Sequence, residues 1–275
     1  MMIPHHAGGV HILATVNINP GNMTLTKSLP VAITTLLVML LCVPASGQDA
    51  AEIIRNMEDV MQGESNYAEM TMKIERPRYE REVSMRSWAL EEDFSLILVT
   101  APSRDEGTAF LKRHSEIWNY VPSIDRTIKM PPSMMSESWM GSDFTNDDLV
   151  RESSTIEDYE HQVLRTEEYE GFDCYVIELI PKPDTPIVWG KVIMWVSTDG
   201  YMQLRVENYD QRGELANTMN LDQIRELDDR TLPTRMTLTP ADRPDQRTIL
   251  TFQEMEFDID IDESFFTLQN MRRVR

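Results

Sequence analysis

Apolar and polar residues alternate along most of the chain after residue 64, which is the pattern of β-strands buried on one face. Turn residues divide this part into short segments, and Asp199-Gly200 marks a tight hairpin. Turn signals at intervals of about 8–12 residues predict an antiparallel sheet, sandwich or barrel of about eleven strands rather than βαβ units. The predicted strand segments are YAEMTMKIER, REVSMRSWALEE, FSLILVTAP, TAFLKRH, EIWNYVP and RTIKMPP, then HQVLRTEEYEG, FDCYVIELIPK, IVWGKVIMWVSTDG, YMQLRVENYDQRG, LANTMNLDQIRELDD, TLPTRMTLTPA and QRTILTFQEMEFDI.

Two segments depart from this alternation. In DAAEIIRNMEDVMQGES the apolar residues recur at helical spacing between Ile53 and Met61, and Gly63 is a C-terminal stop. SDFTNDDLVRES interrupts the strands, and its Ser142 or Asp143 is placed to cap a short helix. The predicted fold is therefore mainly β, with one helix before the strands and one insert between two groups of strands.

Some of the predicted strands are apolar on both faces. In FSLILVT, Phe94 and Leu96 share one face, while Ile97 and Val99 make the opposite face apolar too. Because such strands have to be covered on both sides, we expect the N-terminal helix and the insert to cover one face. The other face requires a second sheet, a partner or a ligand.

The region before these elements has the layout of a secretory signal peptide. Lys27 gives a positive region, residues 31–43 form an apolar core, and Gly47 ends a small-residue cleavage site. We therefore predict export to the periplasm, with cleavage at Gly47-Gln48.

The apolar core of this leader is shorter than the about 20 residues of a membrane span. Leu41 precedes Cys42 at the position where lipoprotein signals have a small residue, so cleaved export is favoured over lipidation. Residues 1–22 lie upstream of the leader and have no informative pattern. The chain is thus divided into an N-terminal extension with signal peptide at residues 1–47 and a single domain at residues 48–275.

The charge of the chain argues against nucleic acid as a partner. The formal net charge is −20, and without the leader, which contains Lys27, 25 basic and 46 acidic residues leave −21. Phosphate binding requires clustered Lys and Arg side chains. Anionic lipid headgroups would be repelled as well, so lipid contact is expected through apolar surface.

Residues suited to catalysis or metal binding are scarce. After cleavage Cys174 is the single cysteine, which excludes an intramolecular disulfide, and His114 and His161 lack the spacing of a zinc site. Adjacent acids such as Asp147 and Asp148 are expected on a solvated face of so acidic a chain. We predict no enzymatic activity, no metal and no cofactor.

Methionine and aromatic residues are the candidates for ligand binding. The stretch MPPSMMSESWMGSDFTNDDLV is rich in methionine, whose flexible side chain suits variable apolar ligands. A plug of core residues at one open end of the sheet is the alternative interpretation. Tryptophans in the predicted strands mildly favour a lined cavity. The predicted lid and cavity residues are Trp88, Trp118, Met130, Met134, Met135, Trp139, Met140, Phe144 and Trp195.

The segments WNYVPSIDRTIKMPPSMMSESWMGSDFTNDDL, YEGFDCYVIELIPK and DGYMQLRVE carry a resemblance. The chain resembles the outer-membrane lipoprotein-sorting proteins, in particular the LolA-like branch whose middle carries a W-x-G-S-D-F-type segment, here residues 139–144. This resemblance implies an incomplete antiparallel β-barrel of about eleven strands that covers an inner helical lid. The lid would be residues 130–144.

The resemblance also implies a function. A periplasmic carrier would bind lipoprotein acyl chains or another lipid and shuttle the cargo toward the outer membrane as a monomer. Its partners would be an inner-membrane transporter and an outer-membrane acceptor. The alternatives are an envelope sensor of lipoproteins, an accessory protein of a lipid exporter, a secreted hydrolase with a carboxylate pair, and a structural envelope protein.

Overall fold

The computed structural model describes residues 49–151, 155–183, 185 and 187–274, with the backbone alone at residues 150 and 151. The predicted signal peptide lies outside this part of the chain, so its cleavage and the division at residue 47 stay predictions. Within the described ranges, no helix is both long enough and apolar enough to cross a membrane.

One antiparallel sheet of thirteen strands forms the framework of the described residues. The strands are β1 (Ser65–Arg76), β2 (Tyr79–Leu90), β3 (Phe94–Ala101), β4 (Ala109–Arg113), β5 (Glu116–Val121), β6 (Arg126–Lys129), β7 (Tyr159–Tyr169), β8 (Phe172–Pro181), β9 (Lys191–Ser197), β10 (Gln203–Tyr209), β11 (Leu215–Leu227), β12 (Arg230–Pro240) and β13 (Arg247–Phe257). Their order is β6-β5-β4-β3-β2-β1-β13-β12-β11-β10-β9-β8-β7.

This architecture confirms the predicted fold class, a mainly β protein with an incomplete barrel. Strands β6 and β7 stand at opposite ends of the order, so the described strands leave the barrel open. The thirteen strands coincide with the segments identified from the sequence and exceed the expected total of about eleven; even β4 and β6, only five and four residues long, pair as members of the sheet.

The first and last strands of the chain are neighbours in the middle of the sheet. Asn66 pairs with Phe257, and Glu75 pairs with Arg247. This pairing joins the meander β1–β6 to the meander β7–β13. The insert between β6 and β7 packs its apolar residues against β1 to β4, β12 and β13. The side of the whole sheet that the insert covers is hereafter the inner face.

Helix α1 (Ala50–Gln62) covers the other half of the inner face, as the sequence predicts. Its Ile53 and Ile54 are fully buried and pack on residues of β8, β9 and β10. The side chain of Asp49 caps the first turn, and Gly63 ends the helix with a φ of 67° that favours glycine.

The insert contains short helical elements rather than one long helix. They are the 3₁₀ turns Pro132–Met134 and Trp139–Gly141, the π-helix Asp147–Arg151 and helix α2 (Thr155–Asp158). A further 3₁₀ turn, Pro122–Ile124, precedes β6.

The C-terminal segment covers part of the outer face of the sheet. It consists of the 3₁₀ turn Glu263–Phe265 and helix α3 (Leu268–Met271). Phe266 and Met271 are fully buried in a cluster with residues of β3 and β4. The second apolar face of β3 is therefore covered by the C-terminal segment of the chain itself, and not by a second sheet, a partner or a ligand.

Candidate functional site

A cavity of about 560 Å³ lies between helix α1, the inner face of the sheet and the π-helix. This volume falls in the range of about 300–1,000 Å³ that is usual for small-molecule sites. Its wall contains residues of β1 to β3 and of β7 to β13, so the two meanders share it. Most of these side chains are apolar, as a site for a hydrocarbon chain requires.

Methionines from the sheet and from α1 form much of the wall. Eight of them line the cavity, and none lies in residues 130–140. Flexible and polarizable side chains adapt to apolar ligands of variable shape. Sequence reasoning missed these residues, although their signal is present as period-2 positions in strands and an i, i+4 pair in α1. They are Met57, Met61, Met70, Met85, Met194, Met219, Met236 and Met255.

The methionine-rich insert packs beside the cavity. Met130, Met135 and Trp139 are buried in the same apolar cluster as the inner face, and Met134 and Met140 pack against that cluster. The indole of Trp139 is fully buried, with its ring centroid 5.3 Å from that of Phe110. Among the predicted insert residues, Phe144 is the one that lines the cavity.

Two arginines of the β1–β2 hairpin hold the insert in place, and we call Arg76 and Arg81 the arginine clamp. Arg76 Nη1 lies 2.9 Å from Asp143 Oδ2, and this ion pair is nearly buried. The hydroxyl of Thr248 donates to the same carboxylate at 2.7 Å. Arg81 Nη1 donates to the carbonyl of Met140 at 2.7 Å. Residues 139–144 are therefore fastened to the end of the sheet.

This clamp corrects the predicted helix cap at Ser142 or Asp143. Asp143 pairs with the clamp, whereas Thr145 and Asp148 cap each other at the start of the π-helix. Thr145 N–H donates to the Asp148 carboxylate at 2.7 Å, and Asp148 N–H donates to the Thr145 hydroxyl at 3.1 Å. This reciprocal arrangement is a capping box in which the acid follows the cap by three residues.

The adjacent acids Asp147 and Asp148 lie on the wall of the cavity, not on the solvated face that the sequence predicts. Asp147 is only 6% exposed. Burial raises the pKa of Asp148 to about 6, with a smaller contribution from the charge of Asp147, while the hydrogen bonds from Thr145 act in the opposite direction. A carboxyl group with this pKa changes its charge in the mildly acidic range.

The predicted tryptophans separate into two groups. Trp189, which lies in a loop and not in a strand, lines the cavity. Trp88 borders the cavity, but its ring packs in the cluster of the outer face, with its centroid 5.5 Å from that of Phe265. Trp118 packs in the cluster of the outer face at β3 and β4, with the Lys129 ammonium 5.7 Å from its ring centroid. Trp195 belongs to another cluster outside the cavity wall and donates its Nε1–H to Glu167 at 2.7 Å.

The mouth of the cavity is acidic. Four residues of its lining are exposed, and we call Asp59, Glu64, Glu91 and Glu92 the acidic mouth. The end of α1 meets the β2–β3 turn here, since Glu91 N–H donates to the carbonyl of Glu64 at 2.7 Å. No Lys, Arg or His lines the cavity in the described part of the chain. The same part contains no cluster of three or more His, Cys, Asp or Glu side chains that could hold a metal ion.

Solved structures share this architecture. An outer membrane lipoprotein-sorting protein domain from Vibrio parahaemolyticus is 26% identical, with a TM-score of 0.73 over 82% of this chain and 98% of that chain. A DUF1329 family protein from Desulfovibrio piger is 21% identical, with a TM-score of 0.72 over 81% and 97%. A LolA superfamily protein from Nitrosomonas europaea is 22% identical, with a TM-score of 0.69 over 80% and 98%. The second and third likenesses show the fold alone.

A family model described as an uncharacterized protein matches residues 91–273, which is more than half of the chain. The chain belongs to this family, and its structural neighbours include outer-membrane lipoprotein-sorting and LolA superfamily proteins. No curated protein matches the sequence. In this protein, the cavity lies where the open half-barrel is covered by helices.

Proposed function

We propose that this LolA-like protein is a periplasmic carrier that binds the acyl chains of a lipoprotein or of another lipid, without catalysis. The main support for the proposal is the apolar cavity of about 560 Å³ between α1 and the inner face. Each methylene group moved from water into such a cavity contributes about 0.8 kcal/mol. A long acyl chain therefore gains enough free energy to be withdrawn from water.

The similar structures support the lipid class of this cargo. One of them is an outer membrane lipoprotein-sorting protein domain that shares the fold over almost its whole length. The methionine-rich wall is consistent with such cargo, because acyl chains differ in length and adopt many conformations. Phe144 would contact the acyl chain directly, since it is buried on the inner face and lines the cavity.

Residues 130–144 act as the lid in this proposal. Their apolar side chains pack on the inner face beside the cavity, so cargo that exceeds the cavity would have to displace them. The buried Nε1–H of Trp139 makes no hydrogen bond with the described residues, and such a group costs about 1–3 kcal/mol. Exposure of this group to water on opening would offset part of the work of displacing the lid.

The same lid gives a physical basis for release. A carrier that bound its cargo with the full gain of apolar burial would not deliver it. When Met130, Met135 and Trp139 return to the inner face, their side chains are buried again. The free energy that this burial gains competes with the binding of the cargo. We propose that the carrier works as a monomer between an inner-membrane transporter and an outer-membrane acceptor, after removal of the predicted signal peptide.

A titration of the delipidated protein with a palmitoylated peptide tests the proposal, with isothermal calorimetry as the readout. Ala89→Trp narrows the cavity, because Ala89 lines it and is half-buried. Ala216→Trp is the matched control, since Ala216 is half-buried and lies outside the lining. We expect saturable one-to-one binding by the natural protein and by the control, and binding weaker by about tenfold or more in Ala89→Trp.

Two results would contradict the proposal. The first is no saturable binding of palmitoylated peptide by the natural protein. The second is equal affinity in the two tryptophan variants, which would show that the chain does not enter the cavity. A thermal denaturation of both variants controls for folding, since overpacking costs about 1–3 kcal/mol at either position.

A further inference from the structure

The exposed part of the cavity lining has a single sign of charge. The acidic mouth (Asp59, Glu64, Glu91 and Glu92) includes every exposed residue of the lining in the described part of the chain. These residues come from two separate elements, the end of α1 and the β2–β3 turn. Asp147 and Asp148, from a third element, add the same sign on the wall behind the mouth.

Arg230 is a cation close to the mouth, and its guanidinium group is already engaged in other contacts. Arg230 Nη2 pairs with Asp258 at 2.7 Å, and its guanidinium lies 4.2 Å from the ring centroid of Phe257. Its Nη1 donates to the carbonyl of Asp59 at the end of α1. Arg230 therefore secures the last turn of the helix and does not line the cavity.

An amphiphile has to place its head group at this mouth. The acyl chain gains free energy in the apolar cavity, whereas a charged or strongly polar head loses hydration if it follows. Clefts lined by one sign of charge between apolar walls attract ligands of the opposite sign and repel those of the same sign. The charge of the mouth thus acts on the head group and leaves the acyl chain unaffected.

We infer that the cargo is an acylated amphiphile with a positively charged head, such as a lipopeptide with basic residues next to its acylated end or an acylated amine, and not an anionic phospholipid. This inference rests on the proposed function, because it assigns the chemical class of the cargo of the same cavity. It goes beyond the fold relationship, which leaves the head group open.

Two palmitoylated dipeptides test the inference, one with two lysines and one with two glutamates. They have the same acyl chain and differ in charge. We expect the delipidated protein to bind the lysine probe about tenfold more tightly at low salt, a difference of about 1.4 kcal/mol. The difference should shrink in about 0.5 M salt, where the Debye length falls to about 4 Å.

A neutralised mouth is the decisive variant. Asp59→Asn, Glu64→Gln, Glu91→Gln and Glu92→Gln together should abolish the difference between the two probes while acyl-chain binding persists. The matched control neutralises four exposed acids that do not line the cavity, so its net charge changes equally. This control should keep the preference for the lysine probe, and its changes are Glu160→Gln, Glu214→Gln, Glu226→Gln and Asp242→Asn.

The outcomes separate the inference from the proposed function. Equal affinity for both probes, or tighter binding of the glutamate probe, would overturn the inference and leave acyl-chain carriage intact. A preference that falls equally in the neutralised mouth and in the control would assign the effect to net charge and also overturn the inference. If neither probe binds, the proposed function itself fails.

Discussion

Loss of the Asp143 carboxylate is expected to destabilise the protein strongly, because Asp143 forms a nearly buried ion pair with the arginine clamp. The side chains of Arg76 and Asp143 are only 11% and 3% exposed, and 2.9 Å separates their charged atoms. At an effective dielectric constant of about 20, such charges attract by about 6 kcal/mol before desolvation is subtracted. Removal of one partner from a buried pair costs about 3–5 kcal/mol. We expect Asp143→Asn to lower the free energy of unfolding by about 3 kcal/mol.

Urea denaturation gives this free energy, and an exposed ion pair gives the matched control. Arg243 lies 3.2 Å from Asp242, and their side chains are 53% and 74% exposed. Asp242→Asn should change the free energy of unfolding by less than about 0.5 kcal/mol, since water already solvates both groups. A double-mutant cycle with Arg76→Gln and Asp143→Asn then isolates the coupling energy between these two side chains.

Hydrogen exchange shows whether the loss is local to the insert. The amide of Trp139 donates to the carbonyl of Phe144 at 2.8 Å, within the segment that the clamp holds. In Asp143→Asn this amide should exchange faster, while amides in the middle of the β1–β13 pair keep their relative protection. A loss of stability no larger than that of Asp242→Asn, with unchanged exchange at Trp139, would show that the Arg76–Asp143 pair does not hold the insert.

Three further predictions concern single residues. The pKa of Asp148 is raised to about 6, above about 3.9 in an unfolded chain, so the contribution of this carboxyl group to folding stability is most favourable below about pH 4 and is lost as the pH rises through about 6. In urea denaturation, Asp148→Asn should therefore be more stable than the natural protein by about 1–3 kcal/mol at neutral pH and equally stable near pH 4. A gain in stability that does not depend on pH would contradict this prediction. Burial raises the pKa of Cys174 to about 11, so its thiol should resist a thiol reagent at about pH 8 until urea unfolds the chain; prompt reaction with the folded protein would be the opposite result. Trp139→Ala should retain the fold at a cost of about 3–5 kcal/mol and alter the affinity for a palmitoylated peptide, whereas unchanged affinity would remove the lid role.

Local patterns predict the elements of this protein well. The segments marked by strand-forming residues and turns include all thirteen strands, more than the expected total of about eleven, and apolar spacing from Ile53 to Met61 identifies α1. The order of the strands cannot be obtained in this way. The pairing of Asn66 with Phe257 joins residues at opposite ends of the domain, and neither segment carries a mark of the other. The resemblance to a known family, not the local pattern, supplied the half-barrel.

The candidate site is less accessible to sequence reasoning. The cluster from Met130 to Met140 stands out in the sequence, yet the methionines that line the cavity are scattered over α1 and six strands, where they look like ordinary core residues. Whether an inward-facing residue meets packed side chains or open space depends on what covers the sheet. Trp88 and Trp195 show the same limit, because both rings pack in clusters away from the cavity and the local pattern does not reveal which face of a strand is inner.

The contacts of the arginine clamp cannot be predicted from the sequence either. Arg76 and Asp143 are 67 residues apart, and in a chain with 46 acidic residues no single carboxylate is distinguished. The acid pair at residues 147 and 148 was expected on a solvated face for the same reason. Both acids lie on the cavity wall, at the π-helix that the capping box of Thr145 begins.

Native mass spectrometry of the protein purified from its own envelope shows whether it carries an acylated cargo. We expect one bound acyl species per protein molecule, released on unfolding, with a positively charged head group in the extracted lipid. The same species should be depleted in Ala89→Trp and retained in Ala216→Trp. A clean unliganded mass, with no uptake of added palmitoylated peptide by the natural protein, would contradict the carrier function.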